Sequence, residues 1–324
     1  MRRTLLRTLP AAMLATVLSP ARAQERFPTK PLRIVVPVPP GGNLDAVTRA
    51  VAERLSAGLG QPVLVENRAG ASSSIGTRFV AQSPPDGYTL LAMANTMLST
   101  PAIMPSAGYD AVAEFAGVGN LVRVANVVVV PASSPFQTIG ELIAHARAKP
   151  GEVTYATAGA GSVGHMAAER FARHVGVRLT HVPYKGNGPA LIDMVGGRVA
   201  MMFDQVSTSG PHIRGGRLRA LGLTTIARSS VLPEVPTLDE AGVKGFEDFT
   251  FNGLVVPAAT PREVVQRLHA EVGKVLSAAD LRARFAASGV DVVPSASPEE
   301  FSTFIRDEVA RYAKLVAEAG IKVE

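Results

Sequence analysis

Twice, more than a hundred residues apart, the chain runs from a short apolar stretch through a glycine loop into a helical pattern. The first instance is Leu32 to Pro37, then Pro39-Pro40-Gly41-Gly42-Asn43, then Leu44, Val47, Val51, Leu55 and Leu59 at helical spacing. The second is Val153 to Ala158, then Gly159, Gly161 and Gly164, then MAAERFARHV with Ala167, Phe171 and Val175 on one face. A strand that turns directly into a helix, repeated, demands a parallel sheet with helices on its faces. Both loops then sit at the carboxyl ends of strands, where α/β proteins bind ligands.

Each instance continues in the same order. After the first come a strand at Pro62 to Glu66, a Gly/Ser loop from Asn67 to Gly76, a helix from Thr77 to Gln82 and a strand at Tyr88 to Met93. After the second come a strand at Arg178 to Pro183, a loop at Lys185 to Gly188, a helix at Pro189 to Val195 and strands at Val199 to Phe203 and Leu218 to Thr225. Two long apolar runs, Leu121 to Val130 and Phe249 to Val256, read as crossovers between the two units. The prediction is an α/β fold of two lobes, each a mainly parallel sheet flanked by helices, hinged by two crossover strands. Residues 24–124 and 250–324 form lobe 1, and residues 125–249 form lobe 2, inserted into it. In the tail, Thr260-Pro261-Arg262-Glu263 and Ser297-Pro298-Glu299-Glu300 each predict a capped helix start. Phe301, Phe304, Ile305, Val309, Tyr312 and Val316 form the buried stripe of the last helix.

The first 23 residues stand apart from that plan. Arg2, Arg3 and Arg7 precede a short apolar stretch, Leu9 to Leu18, and Ala21-Arg22-Ala23 is a small-residue cleavage site, the three parts of an export signal. Arg2-Arg3 also fits the twin-arginine route, so either Sec or twin-arginine export delivers a mature, periplasmic chain. Losing Arg2, Arg3, Arg7 and Arg22 takes the formal charge from +6 to +2. Nucleic acid is therefore not an expected partner, and neither is stable membrane insertion. There is no cysteine, so the fold rests on its core without disulfides, and a monomer is expected.

Gly159, Gly161 and Gly164 satisfy the dinucleotide fingerprint. That reading needs an acidic residue at the end of the next strand, and His181, Val182, Pro183 and Tyr184 stand there instead. A serine hydrolase would use Ser162 as nucleophile and His165 or His181 as base, but Ala160 occupies the first glycine position of the nucleophile elbow. The histidines have no metal-ligand spacing, and no cofactor is expected. What remains is a non-covalent site at helix amino ends. Lobe 1 supplies Pro39, Gly41, Gly42 and Asn43, with Asp45 on the helix that follows, and Ser73 and Ser74 either as hydroxyl donors or as part of a solvated serine run. Lobe 2 supplies Thr157, Ala158, Gly159, Gly161, Ser162 and His165, with Lys185 either a counter-charge or a surface residue and Asp204 either a ligand-side acceptor or a cap for the next turn.

The segments PVPPGGNLD (Pro37 to Asp45), VENRAGASSSIG (Val65 to Gly76), YATAGAGSVGH (Tyr155 to His165), HVPYKGNG (His181 to Gly188), MFD (Met202 to Asp204) and LPEVPTLDEAG (Leu232 to Gly242) resemble, in order, the tripartite tricarboxylate receptor family, the Bug-type extracytoplasmic solute receptors. The resemblance implies a type II-like periplasmic binding protein with a carboxylate in the cleft, near Gly41-Gly42 and Thr157 to Ser162, partly through water. It also implies Tyr184, Lys185, Gly186 and Asp204 beside the cleft. Val38 and Asn252 stand where aromatics are common, and Asn43-Leu44 and Ser72-Ser73 also depart from the family pattern; these bear on the ligand, not on the class. The function implied is a receptor, not an enzyme. It captures a dicarboxylate, tricarboxylate, acidic amino acid or aromatic acid for membrane permease subunits. The alternative is a receptor that feeds a sensor protein without transport.

Overall fold

A computed structural model describes residues 27–321. The predicted signal peptide lies outside them. The first unit runs β1 (Leu32–Val36), α1 (Asn43–Leu59), β2 (Val63–Asn67), α2 (Ser74–Ala81), β3 (Thr89–Ala94) and α3 (Asn95–Ile103). The long strand β4 (Phe115–Pro131) leads to α4 (Ile139–Ala148), β5 (Thr154–Thr157), α5 (Val163–Val175), β6 (Thr180–Pro183), α6 (Asn187–Val195), β7 (Met201–Gln205), α7 (Val206–Arg214) and β8 (Leu218–Leu223). The return strand β9 (Phe249–Pro257) is followed by α8 (Arg262–Ser277), α9 (Ala279–Ala286), β10 (Val290–Val292) and α10 (Pro298–Ala319).

The strands follow the order β2-β1-β3-β9-β4-β7-β5-β6, with β8 and β10 also paired to β4. Within each unit three strands are parallel, β2-β1-β3 and β6-β5-β7, as expected of strands joined through helices. The crossovers run antiparallel to everything they pair with, so the sheet is mixed. Residues Phe115 to Ala125 of β4 pair with β9, and residues from Asn126 onward pair with β7 and β8. The core divides at the same place. Val124 belongs to a cluster built from β1, β3, β9, α1, α8 and α10. Beyond it, Val128 and Val130 enter one cluster while Ala125, Val127 and Val129 enter another, because alternate strand residues face opposite sides.

The tail corrects one expectation. Ser297 caps α10 as predicted, its Oγ accepting from Glu300 N–H at 3.1 Å with Pro298 in the first turn. Thr260 does not cap α8: its hydroxyl donates to Pro257 O at 2.7 Å, and Pro261 takes the capping position without a side-chain bond. No described helix is long and apolar enough to cross a membrane.

Candidate functional site

Five strands, β1, β3, β5, β6 and β7, lead into helices whose amino ends surround one cleft of about 640 Å³. Gly42, Asn43 and Leu44 come from the start of α1, Thr96 and Met97 from α3, Ser162, Val163 and Gly164 from α5, Asn187 and Gly188 from α6, and Gln205 precedes α7. Asn126 of β4 and Thr250 and Asn252 of β9 complete the lining from the crossovers. The first amides of a helix have no partner within it. Among the described residues no side-chain hydrogen bond caps α1, α3, α6 or α7, so no capping side chain claims their first amides.

The close approach of α5 depends on two glycines. A Cβ on Gly164 would lie 2.5 Å from the Phe203 carbonyl oxygen of β7. Gly161 has φ +75°, and a Cβ there would lie 2.0 Å from Ile103 Cδ1 of α3.

Among the lining residues the single charged side chain is Asp204, 3% exposed. It accepts from Asn187 Nδ2 at 2.9 Å, Thr208 Oγ1 at 2.7 Å and Ser209 Oγ at 2.6 Å. Burial pushes its carboxyl above the usual range, outweighing the two hydroxyls that favour the anion. Behind the α5 loop, His165 stacks on His181 with ring centroids 4.0 Å apart, and His181 stacks on Tyr155 at 5.0 Å. His165 Nδ1 accepts from Gly161 N–H at 2.9 Å, so that nitrogen carries no proton. Burial, and secondarily His181, pull His165 down to about 4.

Of the residues singled out in the sequence, Pro39, Gly42, Asn43, Ala158, Ser162 and Asp204 line the cleft. The others do not, for local reasons. Gly41 borders an adjoining hollow of about 320 Å³ with Ser207 and Thr208. Asp45 turns back to accept from Gly41 N–H at 3.0 Å, Asn67 Nδ2 at 2.9 Å and Arg49 Nε at 3.0 Å. Burial alone would raise its carboxyl, and those three partners together hold it below the usual range. Ser73 and Ser74 are buried at the start of α2. Thr157 is held by His181 Nε2 at 2.6 Å and forms, with Gly159, Gly161 and His165, the support behind the wall. The Tyr184 hydroxyl donates to Asp193 at 2.7 Å, Lys185 points into solvent and Gly186 precedes α6 outside the lining.

Asn126, Thr250, Asn187 and Gln205 also line the cleft without having been marked in the sequence, whereas Asn252, marked there as a departure that bears on the ligand, lines it too. A signal existed for the crossover residues: Thr250 and Asn252 are the polar side chains of the otherwise apolar β9, and Asn126 stands before the run Val127 to Val130, although β4 also carries Asn120 and Arg123. Thr96 and Met97 carried none, because α3 itself was not expected. Among the described residues no three His, Asp or Glu side chains group as metal ligands.

The family model described as the tripartite tricarboxylate transporter family receptor matches residues 47–321. The UPF0065 protein of the tcbD-tcbE intergenic region of Pseudomonas sp. (strain P51) is 40% identical over 315 residues, covering 96% of this chain and 94% of that one. Among solved structures, the periplasmic binding protein BugD is 32% identical with a TM-score of 0.78, covering 92% of this chain and 100% of BugD. R. palustris Rpa4515 with adipate is 34% identical with a TM-score of 0.81, covering 91% of this chain and 99% of that one.

Proposed function

We propose, from the premise that the chain belongs to the tripartite tricarboxylate transporter receptor family, that it captures a small carboxylate in the cleft and delivers it unchanged to a membrane permease. The family's members are periplasmic receptors, and the fold is that of a two-lobed periplasmic binding protein. The observation that carries the reading is the convergence of five helix amino ends on one cleft. Each offers unpaired N–H groups and roughly half a positive charge. Together they replace a basic side chain as the attraction for an anion. The likeness to a structure holding adipate supports a carboxylate as the anion.

Residues 24–124 and 250–324 act as one lobe and 125–249 as the other, with β4 and β9 as the hinge. A ligand held by α1 and α3 from one lobe and by α5 and α6 from the other binds the closed arrangement better and so shifts the population toward it. Permease subunits are the partners of that closed form. Catalysis has no support in the α5 loop. Ser162 Oγ accepts from His165 N–H at 3.4 Å, while the His165 Nδ1 and His181 Nε2 nitrogens are engaged by Gly161 and Thr157. Neither imidazole is set as a base on the serine.

The test is native mass spectrometry of the purified protein followed by thermal shift with dicarboxylates, tricarboxylates, acidic amino acids and aromatic acids. A ligand at a hundredfold its Kd adds about 2.7 kcal/mol, enough for a shift of several degrees. No co-purified ligand and no shift across the panel defeats the carboxylate reading. Once a ligand is found, deletion of the gene should abolish uptake of the labelled acid; unchanged uptake defeats the transport role.

A further inference from the structure

We infer that Asn252 reads a hydrogen-bond donor on the ligand, so that the receptor prefers a hydroxy-substituted carboxylate of low charge to the unsubstituted acid. The inference rests on the receptor reading above and names the substrate class of the same cleft. Asn252 lines the cleft from β9 and is 1% exposed. Its Nδ2 donates to Asn43 Oδ1 at 2.6 Å, and its Oδ1 has no partner among the described residues.

The neighbouring polar side chains are committed elsewhere. Asn126 donates to Asp248 at 3.0 Å and accepts from Thr250 Oγ1 at 3.3 Å, and Gln205 Nε2 donates to Thr250 Oγ1 at 3.2 Å. Asp204 already accepts from three donors. A buried acceptor without a donor is a standing cost, relieved only by a group that supplies one. An ionised carboxylate is acceptor-only and cannot; a hydroxyl can. An ammonium would need several acceptors to replace its water, and Asn252 offers one neutral oxygen.

Charge narrows the class further. Among the described residues no lysine or arginine lines the cleft, and Asp204 lies within it. Helix amino ends can meet one or two carboxylates, whereas a third would be buried without a cation.

The experiment is isothermal titration calorimetry of the full mature protein, extensively dialysed, with succinate, malate, aspartate and citrate. Wild type should bind malate at least about tenfold more tightly than succinate, the size of one hydrogen bond. Asn252→Leu should bring the pair to within about twofold of each other. Asn43→Ala removes the partner of Nδ2 but leaves Oδ1, and should keep the preference for malate. Melting curves of both variants establish that they fold. Equal binding of malate and succinate by wild type, or a malate preference that survives Asn252→Leu, overturns the donor role and leaves the receptor reading intact. Aspartate or citrate binding tightest overturns it in favour of an ammonium-reading or higher-charge site. Failure of all four, together with failure of the wider acid panel, defeats the receptor reading itself and this inference with it.

Discussion

Replacing His165 with Asn should flatten the acid limb of the protein's stability. In the folded protein the imidazole stays neutral down to about pH 4, because it is buried and stacked on His181, while in the unfolded chain it protonates at about 6.5. Unfolding therefore takes up a proton throughout that window. Stability from this group is complete above pH 6.5 and is lost as pH falls toward 4. At 1.36 kcal/mol per unit, the difference amounts to about 3 kcal/mol at pH 4. His181 and Tyr155, which stack with the ring, and Glu169, which accepts from the Tyr155 hydroxyl, are present in both proteins and largely cancel in the comparison. The Asn side-chain oxygen can take over from Nδ1 as acceptor for Gly161 N–H, so the loop keeps its anchor. Urea denaturation of wild type and variant at pH 8 and pH 4 gives two stability differences. The variant should gain about 3 kcal/mol on wild type between them. An offset that is the same at both pH values, within about 0.5 kcal/mol, would refute the assignment of a neutral buried His165.

Asp248→Ala should destabilise by about 3–5 kcal/mol in urea melts, because Asp248 is buried against Arg170 and Asn126 and its loss removes the carboxylate that pairs directly with the Arg170 guanidinium. Asp248→Asn, which keeps a polar partner, should cost less. Gly164→Ala should push α5 away from β7 and weaken ligand binding by calorimetry, with a stability loss of about 1–3 kcal/mol, since Phe203 O is backbone and cannot step aside. Ser162→Ala should cost about 1 kcal/mol as a lost helix cap while ligand is still bound and recovered intact; loss of turnover in place of loss of stability would favour a hydrolase.

Strand-to-helix turns were legible because they combine two signals, a β-branched run and a change to helical period at glycine. Hence β1, α1 and β5 were found within a residue or two, and α5 with its start placed three residues late. α3 and α7 were not. Each contains a proline, Pro101 and Pro211, and follows its strand without a loop, so the strand's apolar run hides the helix start. The antiparallel crossovers are a tertiary fact: an apolar run such as Leu121 to Val130 shows burial on both faces but not which neighbour it meets. Thr260 illustrates the limit of local rules. It matches the capping pattern as well as Ser297 does, yet the turn at Pro257 claims its hydroxyl first.

The site was half legible for a reason that follows from its chemistry. If the ligand is held by backbone amides at helix starts, the contacting groups are the same in every residue, and sequence marks them only through what lets them approach. Glycine does that, at Gly161 and Gly164, which is why the loop could be located. The side chains beside such glycines then invite assignment to the ligand, but Asp45, Thr157 and His165 are spent on holding the loops in shape. Side chains that can discriminate among ligands must come from surfaces the loops do not own, the two crossover strands at the hinge. There a polar residue is costly and unexplained by the fold, as Asn252 is. In a receptor of this construction affinity is thus written in glycine spacing, and selectivity in the polar interruptions of its apolar strands.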